Sequence, residues 1–93
     1  MIIGVVTVTI AIPASQSLKD KRSVLRSLKD RAIGKMNVSV AEVGHQDNWK
    51  SAELAFVTVA AESETVQKRI SEINDYLHSD PRYHLVTLHT EIL

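Results

Sequence analysis

The stretch SLKDKRSVLRSLKDR, residues 17 to 31, carries Lys19, Lys21, Arg22, Arg26, Lys29 and Arg31 in a chain of 93 residues whose formal net charge is zero. Cations at this density do one kind of chemistry well, the neutralisation of phosphates or other anions. On a helix, at about 100° per residue, Lys19, Arg22, Arg26 and Lys29 fall in a stripe about 80° wide. Lys19, Lys21 and Arg22 also crowd the positive N-terminal end, where acids are normally preferred, so unpaired N–H groups and three cations together would suit a phosphate. The alternative is a solvated face whose long aliphatic stems shield the edge of the core. Residues 17 to 37 hold seven bases against two acids, a net of +5, while the rest of the chain holds four bases against nine acids, a net of −5. Such polarity bears on partners and solubility, not on fold.

A second group, Glu42, His45, Asp47 and Trp49, surrounds a turn-forming run, GHQDN at residues 44 to 48. His45 with Glu42 or Asp47 would be a thin and mixed ligand set for a metal, and the residue types are those of a turn, so no metal or other cofactor is expected. His84 and His89 lie five apart on a β-rich segment, which predicts opposite faces and no shared site. His78 falls near the end of a helix, where a cation suits the dipole. With no cysteine there is no disulfide framework, thiolate metal site or cysteine nucleophile, and a reducing, cytoplasmic location fits. No nucleophile or general base with a partner can be named, so an enzyme is not expected.

The elements that must position these residues follow from periodicity. Residues 2 to 12 are β-rich and end at Pro13. Ser17 and Asp20 read as a capping pair for a helix in which Leu18, Leu25, Leu28 and Ala32 form the apolar stripe, with Gly34 as a left-handed stop. Met36, Val38 and Val40 begin a second strand that ends near Gly44. A third runs from about Trp49 to Ala61, with Ala52, Leu54 and Phe56 on one face and Ala55, Val57 and Val59 on the other. Ser63 caps a second helix with Val66, Ile70, Ile73 and Leu77 in register, and Asp80-Pro81 stops it. YHLVTLHTEIL makes the fourth strand.

The order βαββαβ predicts an α+β ferredoxin-like plait, one domain over 1–93 with a four-stranded antiparallel sheet and two helices on one face. The opposite face would then carry Ile3, Val5, Thr7, Thr9, Ala55, Val57 and Val59. A face so aliphatic predicts pairing with a second copy, most simply a dimer, through Val5, Thr7, Val57 and Val59. It lacks the aromatics that an RNA-recognition-motif sheet needs for base stacking. No apolar run reaches the roughly 18 residues that cross a bilayer, and the opening run is read as a strand, so no membrane association is expected.

The run SLKDKRSVLRSLKDR followed by KMNVSVAEVGHQDNWKSAELAFVTVAAE resembles the YlxP-like family of small bacterial proteins, a domain of unknown function. The resemblance covers residues 17 to 62 closely, and the flanking elements agree in order. It implies a ferredoxin-like domain whose genes often lie beside those for translation and ribosome-maturation factors. Taken with the basic helix, that implies RNA or a ribosomal particle as partner, contacted by Lys19, Lys21, Arg22, Arg26 and Lys29.

Overall fold

A computed structural model describes residues Met1–Leu93. Alternating apolar residues in the first segment form β1 (Ile2–Ala11), and α1 (Leu18–Lys35) follows. A hairpin of β2 (Ser39–Gly44) and β3 (Ser51–Ala60) leads to α2 (Ser63–Leu77) and β4 (His84–Ile92). The sheet order is β2-β3-β1-β4 with every neighbouring pair antiparallel, the α+β plait expected from the element order.

Two-residue periodicity sorts the central strands. Gly4, Val6, Val8 and Ile10 of β1 and Ala52, Leu54, Phe56 and Thr58 of β3 are buried under the helices. Leu28 and Ala32 of α1 and Val66, Ile73 and Leu77 of α2 are the buried helical residues that cover them. Burying each large aliphatic side chain contributes roughly 1.5–3 kcal/mol, so this layer is where the stability of a cysteine-free chain resides. A Cβ on Gly4 would lie 2.6 Å from Val66 Cγ1, so the missing side chain lets α2 settle onto β1. The buried Thr58 hydroxyl donates to the Asn37 carbonyl at 2.8 Å and accepts from Arg69, so it is paired on both counts.

Three local readings are corrected. Gly34 is not a left-handed stop: no glycine has a positive φ, and α1 runs on to Lys35, where the extended Met36 sends its N–H to the Ala32 carbonyl. Ser63 is the first residue of α2 and does not cap it; the cap is Glu62, without a side-chain bond. His84 and His89 do not face opposite sides. The register of β4 against β1 shifts between Thr9↔Thr87 and Ile10↔Leu85, so a bulge at Val86 restores parity and sets both histidines on the open face, against Ala11 and Thr7. Four residues of β1 separate those positions, roughly 13 Å, and distance rather than facing keeps the imidazoles apart.

Candidate nucleic-acid interface

Ser17 starts α1 by accepting from the Asp20 N–H at 3.0 Å, and the Asp20 carboxylate accepts from the Gln16 N–H at 2.9 Å. A carboxylate therefore already sits at the positive end of the helix, where the sequence suggested a phosphate. Beyond it, Lys19, Arg22, Arg26 and Lys29 are all exposed, and none has an acidic group within ion-pairing distance. The helix presents four uncompensated positive charges to water along one stripe. Arg31 differs, with Nη1 lying 3.9 Å from Asp80 Oδ2.

Lys21 does not belong to this surface. Its side chain is 1% exposed, and its Nζ donates to the carbonyls of His45 at 2.7 Å and Asn48 at 2.6 Å. It also lies 2.7 Å from Glu42 Oε2, a buried oxygen with no hydrogen-bond donor of its own. Two hydrogen bonds and an ion pair thus turn the ammonium to the hairpin and away from any phosphate. The expectation that Lys21 neutralises an anion is corrected on that ground.

The same contacts resolve the second group of candidates. Glu42 is the counter-ion of Lys21, and its side chain is 25% exposed. His45 adopts φ 59, a left-handed conformation uncommon for a residue with a Cβ, and its Nδ1 lies 2.8 Å from Ser51 Oγ. The turn closes with the Asn48 N–H donating to the His45 carbonyl at 3.0 Å, and Asn48 Oδ1 accepts from the Lys50 N–H. Trp49 stands exposed with the Lys50 ammonium 5.9 Å from its ring centroid. Turn chemistry and an ion pair with the buried Lys21 account for His45 and Glu42, Asp47 stands exposed, and no three metal-ligating side chains converge anywhere.

Between α1 and β2 lies a groove of about 250 Å³, with Leu25, Leu28, Val40 and Leu54 in its floor and Arg22, Arg26 and Lys29 at its rim. At the other end of α1, Arg82 holds Asp80 through Nε at 3.0 Å and its own backbone N–H at 2.9 Å. Hydrogen bonding to Arg82 lowers the Asp80 pKa below the ordinary aspartate value. Burial pushes the Tyr83 phenol up to about 12, and its hydroxyl finds no partner. On the far side of the sheet, Val5 and Thr7 are half-buried and Val57 and Val59 exposed, next to Ile3 and Ala55. No helix is long and apolar enough to cross a membrane.

The chain is 31% identical over 75 residues to the uncharacterised protein YlxP of Bacillus subtilis (strain 168), a match covering 81% of this chain and 82% of that one. The two stretches that carried the resemblance in the sequence are the two that Lys21 joins, helix to hairpin. The model of the DUF503 family, proteins of unknown function, matches residues 3–90, and the chain belongs to that family.

Proposed function

We propose that this protein is a non-enzymatic, cytoplasmic domain that associates with RNA or a ribosomal particle by neutralising backbone phosphates with Lys19, Arg22, Arg26 and Lys29. The observation that carries the reading is the stripe itself, four exposed cations without acidic partners in a chain of zero net charge. Contacts of this kind give affinity and register but no sequence selectivity, which would come from RNA shape or a protein partner. The experiment is a salt series on small-subunit particles and a single-stranded RNA. Four neutralised phosphates predict a slope of log K against log salt of roughly −3 on the single strand, and a protein with Arg22→Glu and Arg26→Glu together should not bind. Salt-independent binding, or binding that survives both reversals, defeats the reading.

A second reading belongs to a different class, an oligomeric interaction module working through the open sheet face. It is favoured by the exposed Val57 and Val59 beside the half-buried Val5 and Thr7, an aliphatic surface with polar residues around it. Val57→Asp, which sets a charge at the centre of that face, should dissociate such an oligomer and leave the monomer folded.

A further inference from the structure

β4 is the edge strand that the fold leaves uncovered. Neither helix packs substantially on it, and of its nine residues only Leu85 is better than exposed. Leu88 and Ile92 stand 38% and 44% exposed, although pairing with Val8 and Gly4 places them on the helix side of the sheet. The opposite edge, β2, is shorter, and its register against β3 breaks at Val43. β4 has neither proline nor lysine, the usual devices against edge pairing, and its one bulge, at Val86, leaves residues 87 to 93 regular.

Its free hydrogen-bonding groups can be assigned. Ile3 and Leu93 exchange both backbone bonds, at 3.1 and 2.7 Å. In an antiparallel ladder such pairs alternate with pairs that make no mutual bonds. Glu91, His89 and Thr87 therefore spend their N–H and C=O groups on β1, while those of Ile92, Thr90 and Leu88 point away from the sheet.

We propose that two copies of this chain join their β4 edges in antiparallel fashion about a two-fold axis at Thr90, making one continuous eight-stranded sheet. In this register Thr90 exchanges bonds with the partner's Thr90, and Leu88 pairs with the partner's Ile92, so every outward group from Leu88 to Ile92 is satisfied, by about six hydrogen bonds in all. The half-exposed Leu88 and Ile92 come together on the helix side. On the open face His89 stands directly opposite the partner's Glu91, in a non-bonded pair whose Cα atoms lie about 4.5 Å apart. An axis at His89 or at Glu91 sets like groups against each other, and one at Leu88 sets Glu91 against the partner's Leu85. Charge and apolar complementarity thus select one register. The contact is small by the standard of stable dimers, so the association is weak and concentration-dependent. It uses neither the basic stripe of α1 nor the Val57 and Val59 patch on the far strand of the open face.

The test is sedimentation of the full chain from about 1 µM to about 1 mM, a range that spans weak self-association. Unaltered protein should dimerise within it. Thr90→Pro removes only an outward N–H, which leaves pairing to β1 intact, and should give a folded monomer. Glu91→Lys should weaken the dimer at least tenfold, and His89→Glu combined with Glu91→Lys, which exchanges the two charges, should restore it. On the unaltered protein, hydrogen exchange at the amides of Leu88, Thr90 and Ile92 should slow as concentration rises, while that of His89 and Glu91 stays constant. A monomer at all concentrations overturns the proposal. So does a dimer that survives Thr90→Pro but is lost in Val57→Asp, which would assign the contact to the open face.

Discussion

Lys21 and Arg22 are neighbours on one helix with opposite fates. Lys21 is buried and gives two hydrogen bonds and an ion pair to the β2–β3 hairpin, whereas Arg22 belongs to an exposed stripe with no acid in reach. The difference is one of helical phase: Lys21 follows Leu18 by three and precedes Leu25 by four and Leu28 by seven, the spacing of the buried side. Arg22 is turned by a further 100°, toward water. A cation's chemistry in this protein is set by the face of the helix it occupies, and basic composition alone mixes a structural clamp with a surface open to solvent.

The largest effect should come from the clamp. Lys21→Ala strands the Glu42 carboxylate and the Asn48 carbonyl at once, and leaves the His45 carbonyl only the turn bond from the Asn48 N–H. Removing one member of a buried pair typically costs 3–5 kcal/mol, and since Glu42 keeps some contact with water, a loss of about 3 kcal/mol is expected in urea denaturation. It should change little between low and high salt, because buried pairs are poorly screened. A loss under about 1 kcal/mol would reduce Lys21 to a solvated residue and erase the contrast with Arg22.

Asp80 and Arg82 form an intermediate case, an ion pair whose arginine stays in water. The Asp80 side chain is 11% exposed and that of Arg82 39%. Asp80→Asn should cost about 1 kcal/mol at neutral pH, since a bidentate charged pair exceeds an ordinary surface bridge while its arginine remains screened. The sign with pH follows from the lowered pKa. Ionised Asp80 is favoured in the folded state, so its contribution is complete above the unfolded value of about 3.9 and disappears as pH falls through the lower, folded value. Stability curves of the two proteins should therefore separate above about pH 5 and converge toward acid. A gap that stays constant down to pH 2 would mean that packing, not charge, joins Asp80 to Arg82.

The plait was legible because its signals are local and repeated. The alternation of Val6, Val8 and Ile10 with Val5, Thr7 and Thr9 fixes which face of β1 is buried, and Val66, Ile73 and Leu77 fix the inner side of α2. What periodicity misses is a single residue that changes phase. The bulge at Val86 reverses parity along β4, and nothing in HLVTLHTEI marks it before β1 supplies the register. Lys21 was misread for the opposite reason, since its phase was visible but its charge outweighed it. A lysine among Leu18, Leu25 and Leu28 needs a buried acceptor, and Glu42 with the GHQDN turn supplied one 21 to 27 residues away. The residues of the stripe, by contrast, are where their spacing put them, because an exposed helix face is decided by the helix alone.

The smallest effect tests whether the stripe is held for binding or for stability. Lys19 with Arg22, Arg22 with Arg26, and Arg26 with Lys29 stand three or four residues apart, and like charges at those spacings repel by a few tenths of a kcal/mol each. Replacing Arg22 and Arg26 together by Gln removes these repulsions while keeping helix propensity and the aliphatic stems. The protein should be as stable as before, or slightly more stable at low salt, and the gain should fade by about 1 M salt, where the screening length falls to about 3 Å. Fading with salt matters more than its size, because it marks the gain as relief of self-repulsion rather than improved packing. Lys21→Ala and the double Gln variant then move stability in opposite directions from adjacent positions on one helix. If the double variant is clearly destabilised instead, Arg22 and Arg26 are holding the groove between α1 and β2 together, and the stripe is structural like its neighbour.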